Sequence, residues 1–353
     1  MKTRVFHNEP LEEEEAPMER EYVGIDFHRR RSVVVQVGAG GDRLSVARID
    51  NSPAALAAAV SAAGDHPEVV IEATYGWYWA VDVLQELGAN VHLANPNGLN
   101  WGERRVKNDI VDAADLADML RMGRLPEAWI APPAVRELRE LVRYRAKLVQ
   151  LRSGLKAQVH AVMAKEGVLP TVGDMFCAAG QVQLDEMGLA ESYTIRVESL
   201  RDLIEIYDRE VVMLEREIHR RLRHDRGYLA VQAINGVGRT IAAIIVVEVG
   251  DVTRFPTARH LCSWAGLTPG RRESDRKGHD TGITKHGSKL LRWALIEGIS
   301  RYHGGPHLAV EFHRIAERRG RNKARVAIAR RVLTLAYYGL RDGEIRCLNQ
   351  EAA

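Results

Sequence analysis

The sequence predicts a mixed α/β domain followed by a mainly helical remainder, and three observations support this fold class. The first is a run of short β-branched segments over residues 22–50, which give way to alternating helical and strand patterns. The second is a pair of heptad repeats in the middle of the chain. The third is a series of apolar helical segments after residue 228. With 353 residues, the chain is long enough for two or three domains.

The N-terminal region has a characteristic order of elements. The segments YVGIDFH, SVVVQVG and RLSVARID predict three strands joined by a basic turn and a glycine turn. Ser52 and Pro53 predict the cap and first turn of a helix that ends at about Ala63. The later elements are a strand at 68–74, a helix at about 75–87, a strand at 90–95 and a helix from about 107 to 122. This βββ-α-β-α-β-α order is RNase H-like.

Two heptad stripes predict long helices in the middle of the chain. The first stripe comprises Leu141, Tyr144, Leu148, Leu151, Leu155, Gln158 and Val162. The second comprises Val197, Leu200, Ile204, Tyr207, Val211, Leu214 and Ile218. Such stripes favour a helical hairpin or an intermolecular coiled coil, although one face of an ordinary bundle has the same spacing.

Composition excludes several classes of protein. A hydrophobic fraction of 46% with 27% charged residues excludes a largely disordered or collagen-like chain. Cys177, Cys262 and Cys347 are too few and too far apart for a disulfide framework or a zinc site. The start has no apolar signal region, and no run of 18 apolar residues occurs. We therefore expect a cytoplasmic protein without a membrane partner.

The net charge of +3 is unevenly distributed. Residues 1–20 carry three basic and six acidic side chains, which predicts a disordered acidic tail. Residues 270–346 carry 18 basic and eight acidic side chains, a net charge of +10. This excess indicates either a solvated face or a partner with a phosphate backbone.

Four carboxylates are the strongest candidates for a metal site. Asp26 and Glu72 lie at the ends of two apolar strands, which meet at one sheet edge if the strands are neighbours. Asp109 and Asp112 lie three apart at the start of a helix and therefore share a face. Converging carboxylates require neutralisation by a hard cation such as Mg²⁺, which prefers oxygen ligands. Two such ions can serve a phosphodiester displacement.

These carboxylates also have simpler interpretations. Asp109 and Asp112 would stabilise the helix dipole at any helix start. Asp115 and Asp118 continue the acidic pattern without a predicted role. Asp26 and Glu72 are harder to explain as solvated charges, because burial of an unpaired carboxylate is costly. The four residues together predict a Mg²⁺ site.

Two further motifs indicate phosphate binding. Gly236-Val237-Gly238, followed by Arg239 and an apolar helix, predicts a turn whose backbone N–H groups suit a phosphate. It is similar to half of a helix-hairpin-helix element, although glycine turns commonly open helices. In the second motif, Ser274 lies in a basic loop with four cationic residues: Arg271, Arg272, Arg276 and Lys277.

A serine in a basic loop is more often solvated than catalytic, and a nucleophilic serine needs activation. Glu273, Asp275 or His279 could supply the base, and the sequence does not choose among them.

The ordered set of motifs resembles one family, the transposases of the bacterial insertion sequence 110 family, also described as bridge-RNA-guided serine recombinases. The resemblance spans about residues 22–340. It depends on YVGIDFH, VVIEATYGWYWAVDVLQELGANVHLANP, KNDIVDAADLADML, and INGVGRTIAAIIVVEVGDVTRFPTARHLCSWAGLTPG with the later ITKHGSKLLRWAL.

The resemblance implies an organisation. A disordered acidic tail at 1–20 precedes a RuvC-like DEDD domain at 21–125 with Asp26, Glu72, Asp109 and Asp112 as its acids. A coiled-coil dimerisation segment follows at 126–226, and a C-terminal serine transposase domain at 227–346 carries Ser274 as nucleophile. Asn108 stands where the family commonly has Thr, and Asp275 where it commonly has Gly after the serine. Ser263 and Ser288 are lesser candidates for the nucleophile.

The resemblance also implies a function. Element-end and target DNA, a structured guide RNA and further copies of the chain, in a dimer or tetramer, would be its partners in the bacterial cytoplasm at the nucleoid. The expected activity is RNA-guided, Mg²⁺-dependent strand cleavage and rejoining through a phosphoserine. Two alternatives are a metal-dependent, Holliday-junction-resolvase-like nuclease, which would use water, and a non-catalytic nucleic-acid-binding protein, whose acids would be dispensable.

Overall fold

The computed structural model describes residues 21–99, 108–274, 277–302 and 306–349 of the chain. The predicted acidic tail therefore lies outside the described residues. The chain divides into two compact units, Met1–Ile130 and Ala131–Ala353. The first unit contains a mixed sheet with helices, and the second is mostly helical, which confirms the predicted fold class.

The first unit is built on a six-stranded sheet of order β3-β2-β1-β4-β5-β6. Its strands are β1 (Tyr22–Phe27), β2 (Arg31–Val37), β3 (Arg43–Asp50), β4 (Glu68–Glu72), β5 (Asn90–Ala94) and β6 (Glu127–Ala128). The first three strands pair antiparallel, whereas β4 lies parallel to β1 and β5 parallel to β4. The predicted neighbours β1 and β4 are thus adjacent.

Helices cover both faces of this sheet. They are α1 (Pro53–Ser61), α2 (Trp77–Glu86) and α3 (Asp109–Arg121). The Ser52 side chain accepts a hydrogen bond from the Ala55 amide, which confirms the predicted cap of α1. Helices α1 and α2 pack over Val23 and Ile25 of β1, while α3 packs on the opposite face over Val33 and Val35. A three-layer arrangement results.

The second unit begins with two long helices, α4 (Pro133–Lys165) and α6 (Glu191–Leu222), with the short α5 (Ala178–Glu186) between them. The long helices pack antiparallel, since Arg145 contacts Glu215 while Arg152 contacts Asp208. A helical hairpin within the chain is therefore present.

The predicted stripe of α6 is correct, whereas that of α4 is wrong in part. Six stripe residues of α6 are buried: Val197, Leu200, Ile204, Val211, Leu214 and Ile218. On α4, Tyr144 and Leu151 are exposed, while Val142, Val159 and Met163 are buried instead. The two ends of α4 pack into different clusters, so one continuous stripe cannot describe the helix.

The rest of the second unit forms one large core. Its helices are α7 (Arg226–Gln232), α8 (Arg239–Val249), α9 (Ala258–Trp264), α10 (Lys289–Tyr302), α11 (Pro306–Arg319), α12 (Arg321–Asp342) and α13 (Arg346–Asn349). Helix α8 is almost wholly buried, and α12 supplies a second apolar face through Ile328, Val332 and Leu333.

The basic segment around Ser274 is a β-hairpin and not the expected loop. Strand β7 (Pro269–Ser274) pairs antiparallel with β8 (Lys277–Ile283). Charged residues hide the alternation that would have predicted these strands. No helix in the described ranges has both the length and the apolar composition needed to cross a membrane.

Candidate active site

The first two acids lie at one edge of the sheet because their strands are parallel neighbours. Ile25 is in register with Ile71, so the next residue of each strand, Asp26 and Glu72, follows at the same edge. The Asp26 residue is only 5% exposed, whereas Glu72 is half-buried. A carboxylate this deeply buried requires compensation by polar or cationic groups.

The other two acids come from the first turn of α3. Asn108 caps this helix, since its side-chain oxygen accepts a hydrogen bond of 3.0 Å from the Ile110 amide. Asn is among the residues that cap helices best, so Asn108 fixes the start of the helix that carries Asp109 and Asp112. Asp109 begins the helix and is exposed, while Asp112 lies one turn later and is 3% exposed.

A glycine sets the distance between α3 and the sheet. A Cβ atom at Gly24 would lie 1.9 Å from the carbonyl oxygen of Ala113, and 2.8 Å from the amide nitrogen of Ala117. No side chain fits in that space, so the helix backbone rests directly on β1. This close approach brings Asp112 towards Asp26.

The structure brings the predicted acids together. Asp26, Glu72 and Asp112 line one open cavity of about 610 Å³. Asp109 is exposed at the edge of this cavity. One oxygen of its carboxylate, one carboxylate oxygen of Asp26 and a ring nitrogen of His28 all lie within 4.8 Å of one another. Carboxylates from three separate elements thus surround one solvent-accessible space.

Sequence reasoning missed His28 at this site. Its Nε2 atom lies 3.2 Å from Asp26 Oδ2 and 3.8 Å from Asp109 Oδ1. The available signal was strand periodicity, since residues two apart point to the same side of a strand. Asp118 behaves differently from the four acids, because its carboxylate pairs with Arg121 at 2.7 Å on its own helix.

The donor set fits a divalent cation. Oxygen ligands from carboxylates, with room for water, are what Mg²⁺ takes in proteins. The cavity offers such oxygens from Asp26, Glu72 and Asp112, and Asp109 adds another at its edge. The nearby His28 imidazole is a type of ligand that transition metals such as Zn²⁺ or Fe²⁺ take, whereas the carboxylate oxygens suit Mg²⁺ or Mn²⁺.

The glycine turn of the second unit has the predicted form. Helices α7 and α8 flank it, and Gly238 occupies the N-cap position of α8. Gly236 has a φ of +87°, which favours glycine. A Cβ atom at Gly238 would meet no atom of the described chain within 4 Å, and Arg239 beside it is exposed. The backbone of this turn is therefore accessible to a phosphate.

Ser274 is the last residue of β7, and its backbone pairs with Lys277 across the turn of the hairpin. Arg271 and Arg272 are in register with Asp280 and His279. Arg276 and the neighbouring Asp275 lie outside the described residues.

The two lesser serine candidates have other environments. The Ser288 oxygen accepts a hydrogen bond of 3.1 Å from the Leu291 amide and so caps α10. Its hydroxyl also helps to lower the pKa of the buried Glu248 carboxylate. Ser263 is exposed on α9. Ser288 thus has a structural role.

The buried Glu248 forms an ion pair with the exposed Arg143, and this pair joins α8 to α4. The carboxylate accepts hydrogen bonds of 2.8 and 2.9 Å from the Arg143 guanidinium. Burial alone would raise the pKa of Glu248, but the hydrogen bonds and charge of Arg143, with the charge of Arg139, lower it overall. The carboxylate is therefore held in its ionised form.

A six-stranded mixed sheet of this order, with carboxylates gathered at one edge, defines the first unit as RNase H-like. The family model described as "Transposase IS116/IS110/IS902 family" matches residues 229–302, and the DEDD transposase model of the IS110 type matches residues 23–166. The chain belongs to the IS110/IS116 family of transposases, enzymes that cleave and rejoin DNA.

Curated relatives agree with this membership. The transposase for insertion sequence element IS1111A of Coxiella burnetii is 25% identical over 273 residues, which cover 74% of each chain. The insertion element IS116 uncharacterized 44.8 kDa protein of Streptomyces clavuligerus is 24% identical over 92% of this chain and 95% of its own length. The pilin gene-inverting protein of Moraxella bovis is 33% identical over 34% of this chain and 38% of its own.

Proposed function

We propose that this transposase cleaves and rejoins DNA in a Mg²⁺-dependent reaction, at sites chosen by a structured guide RNA, through a phosphoserine formed at Ser274. The observation that carries the proposal is the cavity lined by Asp26, Glu72 and Asp112, with Asp109 at its edge. Acids from β1, β4 and α3 meet there, although packing of the hydrophobic core does not require carboxylates at these positions. The choice of Ser274 and the guide RNA rest on the family resemblance.

The acids of the first unit form the proposed metal site. In this proposal Asp26, Glu72, Asp109 and Asp112 would hold Mg²⁺, and the bound ion would supply Lewis-acid stabilisation of the charge that develops on a phosphodiester oxygen. Asn108 orients the start of α3, and Gly24 allows α3 to approach β1. These two residues position the carboxylates and do not touch the substrate.

The strand-transfer reaction exchanges one phosphate ester for another and so conserves the energy of the phosphodiester bond. The Ser274 oxygen forms a bond to phosphorus, the bond from phosphorus to the deoxyribose oxygen breaks, and the serine proton passes overall to that leaving oxygen. A second DNA hydroxyl then attacks the phosphoserine and restores the serine. The second step needs no added energy source, because the first ester is exchanged for another.

The remaining basic elements bind the nucleic acid. Gly236, Gly238 and Arg239 present a helix N-terminus to a backbone phosphate. The basic residues Arg271, Arg272, Arg276 and Lys277 attract the phosphate near Ser274. The helical hairpin keeps Tyr144, Leu151 and Met213 exposed, which supports its pairing with a second copy as a coiled coil. The complex would act in the bacterial cytoplasm at the nucleoid.

Rejoining is favoured over hydrolysis by one relative. The Moraxella bovis protein is named for inverting a gene, and inversion requires that cut strands be joined again. A metal-dependent nuclease would use the same acids and leave free ends.

One gel assay separates these possibilities. The full chain is incubated with guide RNA, Mg²⁺ and labelled element ends, and the products are resolved under denaturing conditions. We expect a covalent protein–DNA adduct that Ser274→Ala abolishes and Ser263→Ala, an exposed serine on α9, leaves intact. Free ends without an adduct would indicate hydrolysis, and adducts that persist in Ser274→Ala would exclude this nucleophile.

A further inference from the structure

The carboxylate cavity has a rim that neither metal binding nor nucleophilic attack uses. Tyr75 and Arg29 line the same cavity as Asp26, Glu72 and Asp112. Tyr75 is 77% exposed. A single exposed aromatic residue is ordinary on a protein surface, so the position of this one carries the argument.

The segment that carries Tyr75 is held in place by the sheet. The Ala73 amide donates a hydrogen bond of 2.9 Å to the Ala94 carbonyl, and the Thr74 amide donates one of 2.8 Å to the Glu72 carbonyl. Gly76 follows with a φ of +81° and begins α2. Tyr75 therefore projects from a fixed turn directly beyond Glu72.

The neighbouring aromatic residues are engaged elsewhere. The Trp77 and Tyr78 rings pack edge to face with centroids 4.4 Å apart, and Trp79 packs on Phe27 with centroids 5.5 Å apart. Tyr78 is 37% exposed, about half the exposure of Tyr75. Folding thus uses the other aromatic side chains of this segment and leaves the Tyr75 ring open to solvent.

Arg29 supplies a positive charge beside the ring. It lies in the turn between β1 and β2, and within the described chain its guanidinium forms no ion pair or hydrogen bond. By contrast, the nearby Arg31 pairs with Asp50 at 2.9 Å. An arginine left unpaired next to a group of carboxylates remains available to an external anion, and a guanidinium matches the geometry of phosphate.

We infer that Tyr75 and Arg29 form a nucleotide subsite for an unpaired DNA strand, with the Tyr75 ring stacked on a base and the Arg29 guanidinium bound to a phosphate of that strand. The inference rests on the proposed function, which places a phosphodiester at the adjacent carboxylates. A base in a duplex has no free face for an aromatic ring, so this subsite selects DNA that is locally opened.

The test measures binding without catalysis. The full chain is titrated, without guide RNA and in Mg²⁺, into a fluorescein-labelled 12-nucleotide single strand, the corresponding duplex and the RNA of the same sequence. A second single strand carries 2-aminopurine, whose fluorescence falls when it stacks on an aromatic ring. Thermal unfolding of each variant verifies that the fold is kept, as expected for substitutions at exposed positions.

Tyr75→Ala should weaken single-strand binding about 10-fold, because base stacking on an aromatic side chain is worth roughly 1.4 kcal/mol or more. It should also restore the 2-aminopurine fluorescence, while Tyr75→Phe retains both affinity and quenching. Tyr78→Ala, the matched control, should behave as the unmodified chain. Arg29→Ala should reduce the salt slope of single-strand affinity by about 0.7, the share of one phosphate, and Arg31→Ala should not.

Several outcomes would overturn the subsite. These are unchanged binding in Tyr75→Ala, an equal loss for single strand and duplex, or a Tyr75-dependent loss for RNA alone. Its failure is separable from that of the proposed function. If the unmodified chain forms covalent adducts but Tyr75→Ala binds the single strand normally, only the subsite is excluded. If Tyr75→Ala binds the single strand more weakly but the unmodified chain forms no adduct, only the Ser274 mechanism is excluded.

Discussion

Two buried carboxylates in the two units of this chain show how different environments indicate different roles. Asp26 is 5% exposed and Glu248 is 3% exposed. Glu248 receives two hydrogen bonds from one guanidinium, that of Arg143. Asp26 instead shares a cavity with Glu72 and Asp112 and lies beside the His28 imidazole. A carboxylate that pairs with an arginine of the same chain joins two helices, whereas a carboxylate placed among other carboxylates requires a cation from solution to neutralise the group.

The largest expected effect tests the Asp26 half of this comparison. Asp26→Asn should lower Mg²⁺-dependent strand transfer by about 10³-fold, because metal stabilisation of the transition state is worth several kcal/mol. In metal-free buffer its melting temperature should not fall, because the change removes one charge from a group of carboxylates. Asp118→Asn is the control, since Asp118 pairs with Arg121 on the same helix. A loss of activity as large in that variant would contradict the assignment.

The second effect tests the Glu248 half. Arg143→Met should destabilise the second unit by about 2 kcal/mol, because the buried Glu248 carboxylate loses its two hydrogen bonds from the half-exposed guanidinium. Amide hydrogen exchange in α8 measures the local free energy of opening. The double variant Arg143→Met with Glu248→Met should recover much of that loss, since no buried charge remains. Equal exchange in the single variant and the unmodified chain would show that this ion pair contributes nothing.

The third effect is a pH dependence. The pKa of Glu248 is lowered in the folded chain from its ordinary value of 4.5, despite burial, by Arg143 and Arg139. Because the folded-state pKa is lowered, the unfolded chain binds the proton at a higher pH than the folded chain. The stability that ionised Glu248 contributes is therefore complete above pH 4.5 and is lost as the pH falls through the folded-state pKa. Protection of α8 should therefore decline in this acid range, and Glu248→Gln should show a flatter profile. The same slope in both proteins would exclude Glu248 as the cause.

The smallest effect concerns the serine beside Glu248. Ser288→Ala removes the cap of α10 and should cost about 1 kcal/mol of stability, measured by urea denaturation. Adduct formation should continue, in contrast with Ser274→Ala. Loss of the adduct with an unchanged fold would instead move the nucleophile to Ser288.

Much of the first unit could be predicted from the sequence, since its order of elements follows from local patterns. β-branched runs, turns and the Ser52 cap each act within a few residues. The convergence of Asp26 and Glu72 followed once the two strands were taken as neighbours. His28 was missed because it follows the apolar part of β1. The alternation of the strand, continued two residues beyond Asp26, would have placed its side chain on the same side as Asp26. Strand β6 has two residues, too few for a periodic signal.

The second unit was less predictable because tertiary contacts decide it. The apolar face of α4 changes along the helix, as Val142 packs with the core around α8 and Val159 packs with the cluster of α5 and α6. One heptad stripe cannot represent two partners. The hairpin of β7 and β8 carries charges of both signs without an apolar alternation, so its sequence is typical of a solvated loop. The roles of Ser274 and its basic neighbours stay predictions.

The contact between Gly24 and the backbone of α3 has a consequence for variants of this chain that keep all four acids. Any residue with a Cβ atom at position 24 would meet the Ala113 carbonyl and push the helix away from β1. A copy of this chain in which Gly24 is replaced by Ala would therefore retain Asp26, Glu72, Asp109 and Asp112 and still be inactive, because one added methyl group displaces the helix that carries two of these acids.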